Sequence, residues 1–349
     1  MQRRVRIEEA VGLPLAHDIT EIRKGEFKGP AFKKGHIVRQ EDLDYLRRLG
    51  KTYLFVLHLA EDELHEDEAV VILADALCGE NVGWRGQPSE GKLKLIALTD
   101  GLFKVDVPAL LAFNMLGEVM CATRHGNIIV SQGQEVAGTR AIPLLIKREV
   151  VEKAAGIAGR MSGILRVTPL RPYKVGVVIT GNEVYEGLIQ DRFEPIIREK
   201  VAALGSEVME VVFTPDDAAN ISGIITTLVR NGAQVIVTTG GMSVDPDDVT
   251  RIGIREAGAE DIIYGSPVLP GAMFLVAYLK DIPIVGVPAC GLFFKATVFD
   301  LVFPRILAGE RITRADIAAL GYGGLCLNCE SCRFPDCAFG KAGEWTPQL

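Results

Sequence analysis

The sequence predicts an α/β protein: a three-layer domain with a parallel sheet, mixed at its edge and covered by helices on both faces, preceded by a smaller α+β region. Three observations predict it. Residues 175–180, Val235–Thr239 and Ile282–Val287 are short, unbroken apolar runs, as strands buried on both faces should be. Segments with helical spacing stand between such runs, the alternation that builds parallel sheets through right-handed crossovers. Finally, each predicted strand ends in Gly, Thr or Asp, the residues suited to turns and ligand contact at the carboxyl end of a sheet.

Taken in order, strand 175–180 leads to helix 194–204, which stops at Gly205. Strand 208–213 is followed by helix 218–229 and the turn Asn231-Gly232. Strand Val235–Thr239 leads through Gly240-Gly241 to helix 247–257. Strand Ile282–Val287 precedes helix 293–307.

The region before residue 169 is less regular. A helix is expected over 41–49 and a strand over 52–59. The carboxylate-rich stretch 61–68 reads as the acidic first turn of a helix continuing through 69–78, where negative charge suits the helix dipole. Residues 80–92 read as a polar, Gly-rich loop. A helix over 107–116 and strands at Ile128–Val130 and 141–146 complete this part. The organisation implied is a small module at 1–60, a second α+β module with connector at 61–168, an α/β domain at 169–310 and a Cys-rich tail at 311–349.

Composition narrows the function. The 349 residues are 48% hydrophobic and 24% charged, with a net charge of −7, which suits a globular protein and not a disordered one. The acidic balance argues against a nucleic-acid binder, which usually presents a basic face. The apolar runs are too short or too broken by Pro and Gly to span a bilayer, and Glu8 and Glu9 stand where a signal peptide needs an apolar core. A cytoplasmic protein without membrane partners is expected. The scattered histidines show no ligand spacing.

The chemistry should sit after the strands. Thr180-Gly181-Asn182-Glu183 and Asp191 follow the first, and Asp216-Asp217 follow the second. Thr239-Gly240-Gly241, Ser243 and Asp248 follow the third, and Pro288 the fourth. Glycine lets backbone approach an anionic group closely. Glu183, Asp191, Asp216 and Asp248 supply the oxygen ligands that Mg²⁺ prefers. Read singly, Asp216 or Asp217 is as well explained as a helix cap; their recurrence at one end of the sheet is what suggests a site.

In order and spacing these residues resemble the molybdopterin-binding family of molybdenum-cofactor biosynthesis proteins, most closely the molybdopterin molybdotransferases and the matching domain of gephyrin. The resemblance covers residues 170–308. It rests on Thr180–Glu183, the segment Gly187–Asp191, Asp216-Asp217, the run Thr239–Asp248 and Pro270-Gly271. It implies that Thr180, Gly181, Asn182, Thr239, Gly240, Gly241, Ser243, Pro270, Gly271 and Pro288 bind a pterin phosphate. Glu183, Asp191, Asp216 and Asp248 would place Mg²⁺ or molybdate, assisting metal insertion into molybdopterin or its adenylylated form. A homodimer is expected by the same analogy.

Three departures keep alternatives open. The Ser-Ala-Met-Asp-Gly-Tyr-Ala motif of the molybdotransferases is not found, and Val287-Pro288-Ala289-Cys290-Gly291 replaces their Leu-Pro-Gly-Asn-Pro. Their C-terminal domain also gives way to the Cys-rich tail. A non-catalytic molybdopterin carrier serving a molybdoenzyme is one alternative. A nucleotide pyrophosphatase resembling the competence-damage-inducible proteins is another.

Four of the seven cysteines, Cys326, Cys329, Cys332 and Cys337, crowd the tail. In a reducing compartment this clustering suggests a metal rather than disulfides. The C-x2-C-x2-C-x4-C spacing is similar to ferredoxin-type Fe–S runs, with Zn²⁺ as the alternative.

Overall fold

The computed structural model describes residues 2–23, 27–57, 60–160, 162–242 and 249–341. The first segment pairs strand Gln2–Arg6 antiparallel with Tyr53–Leu57 and strand Ile19–Arg23 with Phe27–Phe32. Helix Leu43–Arg48 buries Leu43 and Leu46 against Val5, Ile7, Leu15 and Val56. The helix and strand expected at 41–49 and 52–59 are thus present in shortened form; residues 58–59 lie outside the described residues.

The next segment corrects three expectations. Residues 63–65 are not helical. They form strand Glu63–His65, paired with Leu145–Lys147, and the helix begins only at Glu66. There the Asp67 N–H donates to His65 Nδ1 at 3.2 Å, which caps the helix, while Glu66, Asp67 and Glu68 do occupy its first turn. The expected loop at 80–92 is largely strand: Val82–Ser89 pairs with Lys92–Ala97 across a turn at Glu90 and Gly91. Only Val82 of the first strand is buried, so its composition reads as loop although it lies in a sheet. The strand expected over 141–146 is divided into Glu135–Ala141 and Leu145–Lys147. Helices Glu66–Leu77 and Arg148–Gly159 pack on this region through Val70, Leu73, Leu77, Val151, Ala154 and Ala158.

The third segment contains β1 (Lys174–Thr180), α1 (Asn182–Tyr185), α2 (Phe193–Ala203), β2 (Glu207–Thr214), α3 (Ala218–Arg230) and β3 (Val235–Thr239). It continues through α4 (Thr250–Glu256), β4 (Glu260–Tyr264), β5 (Leu275–Leu279), β6 (Ile282–Val287), α5 (Val298–Leu307) and α6 (Arg314–Ala319). One six-stranded sheet runs β2-β1-β3-β6-β5-β4. The first four strands are parallel, and β5 and β4 add antiparallel at one edge. The expected fold class is therefore observed, mixed edge included. β4 and β5 were not anticipated; β5 lies in an apolar run noticed only as too short for a membrane span.

Strand periodicity divides the core into two layers. Val175, Val177, Ile179, Val237 and Val285 face α2 and α5, meeting Ile197, Val201, Phe299 and Phe303. Val178, Ile236 and Ile284 face α3 and α4, meeting Ile221, Ile225, Leu228 and Ile254. α5 starts later than expected because Thr297 and Asp300 form a capping box: the Thr297 N–H donates to Asp300 at 2.8 Å, and the Phe299 N–H to the Thr297 hydroxyl at 3.2 Å. Residues Ala289–Leu292 form a separate 3₁₀ turn. Among the described residues no helix is long and apolar enough to cross a membrane.

Candidate functional site

A cleft of about 1100 Å³ opens at the carboxyl ends of β1, β3 and β6. The connections leaving β1 and β3 diverge to opposite sides of the sheet, and such a switch point leaves a crevice where ligands bind. Thr180, Gly240, Gly241 and Pro288 line it from the strand ends. Pro270 and Gly271 line it from the connection between β4 and β5.

The rim of β1 and β3 is tied together by buried hydroxyls. Thr180 Oγ1 donates to the Thr239 carbonyl at 3.2 Å and lies 3.2 Å from Thr250 Oγ1, which itself donates to the Gly240 carbonyl at 3.1 Å. The following backbone needs glycine. Gly240 has φ +84, and a Cβ there would stand 2.3 Å from the Thr180 carbonyl oxygen; Gly241 has φ +53, with a Cβ 2.3 Å from Thr250 Oγ1.

Of the four candidate carboxylates, Glu183 and Asp191 line the cleft. Asp191 also caps α2, its two oxygens accepting from the N–H groups of Phe193 at 3.0 Å and Glu194 at 2.8 Å. Asp216 is not among the lining residues; it exchanges hydrogen bonds with Asn182, accepting from its N–H at 3.2 Å and donating its own N–H to the Asn182 side-chain oxygen at 3.0 Å. Asp248 and Ser243 lie outside the described residues. Thr239 is fully buried behind the rim and contributes a carbonyl to it rather than a surface to the cleft. Gly181 and Asn182 likewise stand beside the cleft without lining it.

Several lining residues escaped the sequence reading. Arg192 is the one cationic side chain among the described lining residues, placed where an anion could meet it. Met273, Phe193 and Phe294 add apolar surface. Cys290 also faces the cleft, and burial pushes its thiol up from the ordinary value. The least expected wall comes from the tail: Leu325, Cys326 and Asn328. Leu325 bridges to Leu269 as in a parallel sheet; the Leu269 N–H donates to the Gly324 carbonyl and the Cys326 N–H to the Leu269 carbonyl, each at 2.8 Å.

Most residues lining the cleft fall within the span that family comparison matches. Residues 176–308 match the family described as "Probable molybdopterin binding domain". These residues are a domain of that family. Residues 4–58 match a family described only as a domain of unknown function. A CinA-like protein of Mycobacterium tuberculosis is 34% identical over 91 residues, covering 26% of this chain and 21% of that one. The molybdopterin molybdenumtransferase of Synechococcus elongatus is 25% identical over 164 residues, covering 45% of this chain and 40% of that one. The chain thus matches less than half the length of these curated relatives. Among solved structures, the molybdopterin biosynthesis enzyme MoaB of Thermus thermophilus is 21% identical with a TM-score of 0.35, covering 40% of this chain and 98% of that one.

Mg²⁺ is usually held by one or two carboxylates together with substrate phosphates, not by an all-protein cage. Glu183 and Asp191 are the two carboxylates among the described lining residues. Among the described residues no three His, Cys, Asp or Glu side chains are gathered as a ready metal site.

Proposed function

We propose that the cleft binds molybdopterin, or its adenylylated form, and assists insertion of molybdate or a related oxyanion as substrate. The observation that carries this reading is the lining itself, which brings Thr180, Gly240, Gly241, Glu183, Asp191 and Arg192 to one cleft. The bare glycine backbone lets a phosphate approach closely, and Arg192 balances its charge. Glu183 and Asp191, with Asp248, would hold Mg²⁺, which supplies charge neutralisation at the phosphate oxygens. Met273 and Phe294 offer apolar surface to the pterin rings. The protein's contribution is chiefly positioning and electrostatic. On this reading it works in the cytoplasm as a homodimer and delivers product to a molybdoenzyme, binding neither nucleic acid nor membrane.

The test is to denature and oxidise the purified protein and look for pterin fluorescence, then to compare Asp248→Asn with the parent. An enzyme keeps pterin binding and loses insertion activity in this variant. Equal insertion-independent carriage by both proteins favours a non-catalytic carrier. A second reading, a nucleotide pyrophosphatase, draws on the 34% identity to a CinA-like protein. Hydrolysis of free dinucleotides without pterin binding would establish it.

A further inference from the structure

We propose that the tail is a binding site for a polynuclear iron–sulfur cluster, seated against the outer side of the cleft wall. The four tail cysteines border one cavity of about 310 Å³, distinct from the cleft. The loop around it is fastened at both ends. At its start, Cys326 is held to Leu269 by the 2.8 Å backbone hydrogen bond. At its end, the Gly340 N–H donates to the Gly323 carbonyl at 3.0 Å, and Phe339 is buried in the domain core. Cys326, Phe334 and Cys337 pack against that same core, and Arg124 of the preceding region pairs with Asp336 at 2.9 Å. The thiols therefore sit on a closed, anchored loop and not on a free end.

The spacing C-x2-C-x2-C-x4-C, similar to ferredoxin-type runs, favours a cluster over a single ion. Zinc sites more often split into two Cys pairs separated by a dozen or more residues. A cluster spreads its thiolates around an inorganic core, as a cavity ringed by four cysteines allows. Its surroundings fit as well. Phe294, Phe334 and Phe339 line it with apolar surface, and among its lining residues Lys295 and Arg333 outweigh Glu330 in charge, which suits an anionic cluster. In the structure no three of these thiols are gathered to hold a metal; Cys329 and Cys332 are exposed and would turn inward on ligation. Loading is a ligand exchange: each cysteine sulfur bonds to iron, its proton passes to the small thiolate that leaves, and no oxidation state changes.

Phe294, Leu325, Cys326 and Asn328 border both cavities, so the cluster would back the cleft wall directly. The site stands on the tail's own residues, and its test does not depend on what the cleft binds. The full-length protein is incubated anaerobically with a preformed iron–sulfur cluster carried by small thiolates, desalted, and assayed for iron, sulfide and visible charge-transfer absorbance. Iron and sulfide retained in equal amounts, with absorbance that dithionite bleaches, are expected. The double variant Cys329→Ser/Cys332→Ser, with circular dichroism matching the parent, should fall to the protein-free blank. Equal retention by this variant, or no retention by the parent, overturns the proposal. So does a parent that takes up one Zn²⁺ per chain and excludes iron.

Discussion

The Thr180 hydroxyl donates to the Thr239 carbonyl at 3.2 Å, joining the carboxyl ends of the two strands between which the cleft opens. Because Thr180 is buried, the bond is shielded from water. Thr180→Val keeps the shape but removes the donor. It should cost about 1–3 kcal/mol, the usual consequence of leaving a buried acceptor without its donor. Urea unfolding at constant m-value measures it.

Gly240→Ala should be worse for the site than for its composition. The added methyl meets the Thr180 carbonyl oxygen at 2.3 Å in a backbone with φ +84, so the rim must move. Strain of about 1–3 kcal/mol is expected. Ligand affinity should fall alongside it, read by calorimetric titration with a pterin phosphate.

Arg192→Ala removes the cationic side chain from the described lining of the cleft. Affinity for a phosphate-bearing ligand should drop about tenfold or more, as for a lost charge-assisted hydrogen bond. Its salt dependence should flatten too, while the melting temperature hardly changes. An unchanged salt dependence would show that the anion binds elsewhere.

Buried Arg305 holds Glu310 at 2.8 Å and Asp316 at 2.6 Å, and Lys104 from the preceding region reaches Glu310 at 2.9 Å. Burial pushes the Glu310 carboxyl up, but Arg305 and Lys104 outweigh it and hold it below its ordinary value. Asp316 is likewise raised by burial but held low by Thr313 and Arg305. Their stabilisation is therefore present above the unfolded carboxylate pKa of about 4 and is lost as pH falls through the lower folded values. The melting-temperature gap between parent and Glu310→Gln should be steady near neutrality and close below about pH 4.

Phe299 and Phe303 stack at 4.6 Å between the sheet and α5, and both are almost fully buried. Phe299→Ala should cost about 3–5 kcal/mol through lost burial and the cavity left behind. Denaturant titration checks it.

What could be read in advance follows from the range of the forces involved. β3 and β6 are found with the expected ends because strands buried on both faces must be apolar throughout. Gly240 and Gly241 stood out as a Gly pair directly after a strand; only the structure shows the positive φ and the close neighbours that call for glycine there. By contrast, Val82–Ser89 was hidden because most of that strand faces solvent and carries no apolar signature. Thr250 looked like an ordinary helix residue; its part in the rim depends on meeting Thr180, 70 positions away. The tail wall was equally invisible, since Leu325 reaches the cleft only by bridging to Leu269. Asp191 was recognised as a residue of the site, but its helix-capping bonds needed the fold to appear.

The outer strands of the sheet bear on how copies of this chain can meet. β2 exposes Glu207 and Glu210, while β4 exposes Glu260 and Asp261 and shifts register between Glu260 and Ile263. Two molecules approaching margin to margin would set carboxylate against carboxylate along an irregular border. Like charges and a bulge both oppose such strand addition. The open ends of the sheet are thereby guarded against runaway polymerisation, and self-association, where it occurs, is directed to helical or loop surfaces.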